Sequence, residues 1–149
     1  MINALIIFFA QYLTFFSVLV APYLWLRRER HSLIRIAVTV VLAFAVSEAI
    51  KSIFYIPRPF LAEGFTPLFP QEQDGSFPSS HATFLAALGG GVFFGERWLG
   101  ISLVLSALLV GTARVLAGIH YPIDILGGTV LGLGIAVLVK FLHDKFSYW

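Results

Sequence analysis

Residues 4–26 read ALIIFFAQYLTFFSVLVAPYLWL, an apolar run that only Gln11, Thr14, Ser17 and Pro22 interrupt. A helix needs about 20 apolar residues to cross the hydrocarbon core of a bilayer. This run is long enough, and it lacks the basic leading segment and the small-residue cleavage site of a signal peptide. We therefore expect it to form a retained membrane-spanning helix.

Four further apolar runs follow the first one. They cover residues 33–55, 81–95, 99–117 and 123–142, and the run at 81–95 is short for a span. Ser32 is expected to cap the helix of the second run. The pattern predicts an all-α integral membrane helical bundle with about five transmembrane helices. The sequence shows no long-period repeat, and we expect residues 1–149 to form a single domain.

The overall composition excludes several classes of protein. Of the 149 residues, 58% are hydrophobic and 12% are charged, whereas a soluble domain carries about 25% charged residues. This argues against a water-soluble enzyme and against a disordered regulator. The formal net charge of +2 is too small for the basic surface of a nucleic-acid-binding protein. The sequence contains no cysteine, so thiolate catalysis and cysteine-ligated metal sites are excluded within it.

Residues 57–78 break the apolar pattern. This segment contains five of the seven prolines, together with Glu63, Glu72 and Asp74. Proline lacks a backbone donor and interrupts helices. We therefore expect a loop here, with a short helical turn around residues 60–65.

Basic residues predict how the helices are oriented, because short loops rich in Lys and Arg stay on the cytoplasmic side of a membrane. With five spans, one side receives most of the basic residues, namely Arg27, Arg28, Arg30, Arg35, Arg97, Lys140 and Lys145. We therefore expect the C-terminus in the cytoplasm and the N-terminus outside. The other three, Lys51, Arg58 and Arg114, fall on the disfavoured side and require an explanation.

The same arrangement of spans brings reactive side chains to the outer end of the bundle. The end of the second helix, the start of the third and the connection between the fourth and fifth all lie there. Together they hold Lys51, Arg58, Ser79, Ser80, His81, Arg114, His120 and Asp124. Three cations at a lipid boundary are costly unless an anion neutralises them. Phosphate suits the forked donors of arginine best, so we expect a multiply charged phosphate ligand.

Two histidines can share the work of phosphoryl transfer, which needs a nucleophile, a proton for the leaving oxygen and neutralised equatorial oxygens. The start of the third helix offers unpaired backbone N–H groups to a phosphate, and the Ser79 hydroxyl can donate to it. If helical geometry reaches back to His120, Asp124 lies one turn away and can accept from one imidazole nitrogen. The other nitrogen is then free to attack phosphorus, and His81 on the opposite wall would protonate the leaving group.

These residues form a three-part pattern: Lys51-x6-Arg58-Pro59, Pro78-Ser79-Ser80-His81 and Arg114-x5-His120-x3-Asp124. The pattern resembles the signature of the type 2 phosphatidic acid phosphatase (PAP2) superfamily, which includes membrane lipid phosphatases and soluble vanadium haloperoxidases. The resemblance implies a PAP2/haloperoxidase-like helical core. It also implies that the reaction uses no metal and no other cofactor.

The resemblance further implies a role for each matched residue. His120 would be the nucleophile that forms a phosphohistidine, Asp124 would orient it, and His81 would be the general acid. The phosphoryl oxygens would be bound by the remaining members, Lys51, Arg58, Ser79, Arg114 and the amide of Ser80.

The sequence departs from the family pattern at three points. Ser80 stands where the family usually has glycine, and Ala113 stands where serine is common. Five spans are expected where many relatives have six, and the loss of one N-terminal span would reverse only the side of the N-terminus. Glu48 lies outside the pattern, and we expect it to pair with Lys51 three residues further on.

These features predict a plasma-membrane enzyme that hydrolyses a lipid phosphate or diphosphate at the extracytoplasmic face. By analogy with small bacterial members of the family, undecaprenyl diphosphate is the favoured substrate, and phosphatidate or phosphatidylglycerophosphate is the alternative. A haloperoxidase is disfavoured because those relatives are soluble. A non-enzymatic transporter or lipid-binding protein stays open, and it would tolerate the loss of His120. The expected partners are the lipid substrate and membrane lipids, with no nucleic acid and with the oligomeric state left open.

Overall fold

The computed structural model describes residues 1–26 and 30–146. In this part of the chain all regular elements are helices: α1 (Ile2–Leu26), α2 (Arg30–Ile53), α3 (Pro59–Glu63), α4 (Ser80–Phe93), α5 (Arg97–Leu116) and α6 (Pro122–Phe146). The helix α1 is irregular, with a π-helical segment at Phe8–Tyr12 and a 3-10 turn at Ser17–Leu19. The all-α membrane bundle predicted from the sequence is confirmed. Arg27, Arg28 and the side chain of Arg30, which entered the orientation argument, lie outside the described residues.

Four of these helices, α1, α2, α5 and α6, are long and apolar enough to cross a membrane. The remaining predicted span is α4, whose 14 residues extend over about 21 Å, less than the hydrocarbon thickness of about 30 Å. The helix α4 is the centre of the bundle: ten of its residues are buried, and it packs against α2, α5 and α6. Its apolar character is therefore that of a core helix as much as of a span.

Two glycines of α6 allow it to approach α4 closely. A Cβ atom on Gly128 would lie 2.7 Å from the Ser79 carbonyl oxygen, and one on Gly132 would lie 2.5 Å from the Thr83 carbonyl oxygen. Small residues at such contacts let helix backbones pack closely in membranes. The close approach places the first turn of α4 next to the first turn of α6, where the candidate site lies.

One predicted helix start needs correction, and one condition that was placed on the geometry of His120 is not met. The helix α2 begins at Arg30, so Ser32 lies inside the helix and does not cap it. The helix α6 begins at Pro122, where the missing N–H of proline has no intrahelical acceptor to lose, so helical geometry does not reach back to His120. The short turn predicted in the loop is confirmed as α3. The residue that follows it, Gly64, takes the left-handed conformation (φ 72°) that favours glycine.

Candidate active site

Three buried cations lie around the N-terminal end of α4. Lys51 comes from the last turn of α2, Arg58 immediately precedes α3, and Arg114 lies in the last turn of α5. All three side chains are buried, although a charged group is rarely buried without partners. We refer to Lys51, Arg58 and Arg114 as the cationic cluster. The prediction that the spans bring these residues to one end of the bundle with the two histidines is confirmed by their contacts.

Arg58 connects the cationic cluster to His120. Its Nη1 donates to the Ile119 carbonyl oxygen at 3.0 Å and lies 3.2 Å from His120 Nε2. A guanidinium is a donor only, so Nε2 must be the acceptor and Nδ1 must carry the imidazole proton. This tautomer leaves a lone pair on Nε2 that points into the cationic cluster.

The other imidazole nitrogen is held by a carboxylate. His120 Nδ1 lies 3.1 Å from Asp124 Oδ2, and both residues are buried. The same oxygen accepts from the Tyr121 backbone N–H at 2.8 Å and from the Ser76 hydroxyl. The predicted pairing is therefore confirmed, but its geometry differs from the expected helical turn. His120 precedes α6, and Asp124 in the first turn reaches back to it.

The environment of His120 keeps its imidazole neutral at neutral pH. Burial lowers its pKa, the hydrogen bond with Asp124 opposes this, and the charges of Arg58 and Arg114 lower it further, to about 4. A neutral imidazole with a fixed tautomer has the lone pair that a nucleophile needs. The position of the Nε2 lone pair and the neutral state of the imidazole are therefore both compatible with a nucleophile.

The second histidine, His81, lies in the first turn of α4 on the side of Arg114. Its Nε2 is 3.4 Å from Arg114 Nη1. Arg114 also donates to the Ala10 carbonyl oxygen of α1 at 3.2 Å and to Gln71 Oε1 at 3.1 Å. Each histidine is thus contacted by a different arginine of the cationic cluster.

The two serines before His81 have different surroundings. The Ser79 hydroxyl is buried and makes no hydrogen bond with any described residue, and the same is true of Arg114 Nε. Buried donors without acceptors are costly, and phosphoryl oxygens would satisfy both. The Ser80 hydroxyl instead bonds Glu48 Oε1 at 2.8 Å and Lys51 Nζ. The predicted Glu48–Lys51 pair is confirmed at 3.2 Å.

Three residues of the loop before α4 contact the site but are not indicated by the sequence pattern: Gln71, Asp74 and Ser76. Gln71 accepts from Arg114, Asp74 bonds Arg58 and Lys51, and Ser76 bonds Asp124. In the sequence, the prolines and acidic residues of this segment indicate a loop but not its contacts with the site. The one available signal was its position directly before the Pro78-Ser79-Ser80-His81 segment.

No group of three or more metal-ligating side chains is placed to hold an ion among residues 1–26 and 30–146. The expectation that the reaction needs no metal stays a prediction.

Comparison with known proteins decides the family. The sequence pattern of the PAP2 superfamily matches residues 32–148. The chain belongs to the PAP2 superfamily. It is 30% identical to undecaprenyl-diphosphatase BcrC of Bacillus subtilis, over 98% of this chain and 75% of that protein. It is also 30% identical to an undecaprenyl-diphosphatase of Sulfolobus acidocaldarius, over 92% of this chain and 68% of that protein.

The fold is that of other PAP2 proteins. The crystal structure of Aquifex aeolicus LpxE matches with a TM-score of 0.79 at 23% identity, over 93% of this chain and 86% of that one. Membership of the PAP2 superfamily and the apolar helices make this protein a multi-pass membrane lipid phosphatase, and therefore a hydrolase. The alternative of a non-enzymatic membrane protein is not supported.

Proposed function

We propose that this PAP2 protein hydrolyses undecaprenyl diphosphate, or a closely similar isoprenoid diphosphate, through a phosphohistidine on His120. The observation that carries the proposal is the position of His120 Nε2, which lies 3.2 Å from Arg58 Nη1 while Asp124 holds Nδ1. The choice of lipid is supported by the two relatives named undecaprenyl-diphosphatases, which match almost the whole chain.

In the proposed reaction, the Nε2 lone pair attacks the terminal phosphorus and the bond from that phosphorus to the bridging oxygen breaks. His81 donates a proton to the leaving oxygen of the lipid monophosphate. Water then attacks the phosphohistidine and gives a proton to His81. The phosphorus–nitrogen bond breaks, and inorganic phosphate is released with both histidines restored. Asp124 stabilises the positive charge that develops on the imidazole during the first step.

The remaining groups neutralise the equatorial oxygens, where negative charge is concentrated in phosphoryl transfer. The cationic cluster supplies the charge, and the buried Ser79 hydroxyl and Arg114 Nε supply donors that make no other hydrogen bond within the described residues. The first backbone N–H groups of α4, including that of Ser80, add the positive end of a helix dipole. This assignment gives a role to every residue of the three-part pattern except its two prolines.

The substrate assignment is tested with purified protein in detergent and a panel of lipids. We expect the highest kcat/KM for undecaprenyl diphosphate, measured as released phosphate, and lower values for phosphatidate, phosphatidylglycerophosphate and lipid A. Vanadate should inhibit as a mimic of the five-coordinate transition state, and EDTA should have no effect. A clear preference for a glycerolipid would refute the isoprenoid substrate, and loss of activity in EDTA with recovery on adding metal would refute the metal-free reaction.

We also propose that the site faces the extracytoplasmic side, with the N-terminus outside and the C-terminus in the cytoplasm. The sequence contains no cysteine, so single cysteines can report the sidedness of each end. Gln73→Cys places a thiol on the exposed loop of the site, and Gly95→Cys places one in the exposed turn between α4 and α5. An impermeant thiol reagent should label the first in intact cells and the second only after lysis. The reverse result would invert the topology.

A further inference from the structure

The carboxylate of Asp74 bridges two members of the cationic cluster. Its Oδ1 accepts from Arg58 Nε at 2.9 Å and from Arg58 Nη2 at 2.7 Å, and its Oδ2 lies 3.4 Å from Lys51 Nζ. Arg58 and Lys51 come from separate segments of the chain, and one anion with two oxygens joins them. This is the geometry expected of a phosphoryl group bound by the same two cations, because carboxylate and phosphate match the arginine fork in the same way.

Asp74 differs from its partners in burial. The Arg58 and Lys51 side chains are 3% and 7% exposed, whereas the Asp74 side chain is 37% exposed. The carboxylate therefore lies on the outer side of the two cations, between them and the surroundings. It also comes from a loop between α3 and α4, whereas Lys51 belongs to a helix of 24 residues. Unlike Lys51, Asp74 can therefore leave without unwinding a helix.

The carboxylate is ionised at neutral pH. Burial raises its pKa, but the hydrogen bond with Arg58 and the charges of Arg58 and Lys51 outweigh this and hold the pKa below its ordinary value. With Nε, Nη2 and Nη1 of Arg58 directed to Asp74, Ile119 and His120, most donors of this guanidinium are in use. A phosphoryl group that takes the Nε and Nη2 edge of Arg58 must replace Asp74.

We infer that Asp74 is an internal competitor of the substrate: it binds Lys51 and Arg58 in the free protein and yields them to the phosphoryl group of the lipid. The inference rests on the proposed function, because it takes these two cations to be phosphate ligands. When only a fraction of the molecules is competent to bind, the apparent affinity is reduced by that fraction. Asp74 therefore weakens the binding of every phosphoryl anion, including inorganic phosphate, and its return after the reaction favours product release.

The test is the inhibition constant of inorganic phosphate for Asp74→Asn, with Glu72→Gln as the matched control. Asparagine keeps the shape of the side chain and removes the charge. Glu72 lies two residues away in the same loop and is exposed. Among the described residues, the hydrogen bonds between this loop and the cationic cluster do not involve Glu72. We expect Asp74→Asn to bind phosphate and vanadate about tenfold more tightly, which corresponds to a tenth of the free molecules being competent in the unmodified protein, and Glu72→Gln to match the unmodified protein.

A change of the phosphate inhibition constant in the opposite direction would indicate a different role for Asp74. If the carboxylate only positioned Arg58, Asp74→Asn would bind phosphate more weakly, and an unchanged or weaker constant overturns the inference. The proposed function does not depend on which of these results is obtained. It stands as long as the unmodified protein hydrolyses lipid diphosphate. Absence of turnover in the unmodified protein would instead refute the proposed function.

A second measurement covers the case in which Asp74→Asn does not fold. A spin label on Gln73→Cys, in a chain that has no other cysteine, reports the motion of the loop. Saturating vanadate should increase the mobility of this label, because Asp74 is displaced from Lys51 and Arg58. A label at Gly95→Cys at the other end of α4 should not respond. An unchanged spectrum at position 73 under saturating vanadate overturns the inference.

Discussion

The two ends of α4 hold buried arginines in different ways. At the C-terminal end, Arg35 of α2 donates to the Gly91 carbonyl oxygen at 3.3 Å, and its guanidinium carbon lies 5.6 Å from the centre of the Phe94 ring. At the N-terminal end, Arg58 bonds the carboxylate of Asp74 from a separate loop. A helix carries partial negative charge at its C-terminus and partial positive charge at its N-terminus.

The direction of the helix dipole explains this difference. The C-terminal carbonyls of α4 and the neighbouring ring contribute negative charge beside Arg35. At the other end the dipole adds to the charge of the cationic cluster, so an anion from elsewhere has to neutralise it. A buried cation at that end is therefore costly in the absence of a ligand, which is the physical reason to assign the ligand site there.

The largest expected effect is that of His120→Gln compared with His143→Gln. The first removes the nitrogen that attacks phosphorus, and we expect turnover to fall by at least about a thousandfold. His143 lies exposed in the last turn of α6, and its replacement should change turnover by less than about twofold. Phosphate release measures both, and acid quenching should trap a phosphoprotein only when His120 is present. Equal activity of the two variants would contradict a phosphohistidine on His120.

The next effect compares arginines at the two ends of α4 through Arg58→Lys and Arg35→Lys. Lysine keeps the charge but loses the planar fork, so we expect kcat/KM of Arg58→Lys to fall about a hundredfold. Arg35→Lys should lower the melting temperature while the activity of each folded molecule stays within about twofold of that of the unmodified protein. Comparable losses of kcat/KM in both variants would mean that the two ends do not differ in function.

These two comparisons also show what the sequence could and could not predict. The alternation of spans was enough to bring Lys51, Arg58 and Arg114 together, because the second and fourth connections between spans lie at the same end of the bundle. Hydropathy could not show that α4 is the central helix, since a core helix and a span are equally apolar. The contacts of Asp74 and Ser76 could not be predicted, because a proline-rich loop has no periodicity from which the direction of its side chains follows.

The pH dependence of kcat/KM tests the electrostatic environment of His120. Its pKa is lowered to about 4 by burial and by Arg58 and Arg114, against the opposing hydrogen bond with Asp124. Only the neutral imidazole attacks, so the titration of His120 should leave kcat/KM unaffected from pH 7 to about 5 and lower it about tenfold per unit below about 4. A fall in kcat/KM centred near pH 6.5, the pKa of an exposed histidine, would show that the cationic cluster does not act on His120.

The same lowered pKa affects stability. Between pH 6.5 and about 4 the unfolded chain binds a proton at His120 while the folded protein does not. The free energy of unfolding should therefore decrease as the pH falls through this range and be independent of this group above it. His120→Gln should remove this part of the pH dependence, which can be measured by thermal unfolding in detergent at several pH values.

A smaller effect is expected from Ser76→Ala, with Ser102→Ala as its control. The Ser76 hydroxyl bonds Asp124 from the loop, whereas the exposed Ser102 hydroxyl bonds the Trp98 carbonyl of its own helix. Removing the first leaves the Tyr121 N–H as the remaining donor to Asp124 Oδ2 besides His120. We expect kcat to fall about tenfold with little change in KM, and Ser76→Thr to restore it. A change in KM alone would contradict a positioning role.

The smallest effect is expected from Lys140→Gln, which removes an ion pair near the C-terminal end of α4. Lys140 pairs with Asp144 one turn further on α6, with side chains 30% and 52% exposed, and lies 5.6 Å from the centre of the Phe94 ring. Exposed pairs of this kind contribute little to stability, and salt screens them.

Lys51→Gln is the matched change at the other end, where the ammonium is buried among Glu48, Asp74 and Ser80. We expect Lys140→Gln to leave kcat/KM within about twofold and to alter the melting temperature less as salt increases. Lys51→Gln should lower kcat/KM at least about tenfold at any salt concentration, because its charge is screened little when buried. If both lysines proved equally dispensable for turnover, the charge of the cationic cluster would serve the fold rather than the phosphate, and the contrast between the two ends of α4 would lose its functional meaning.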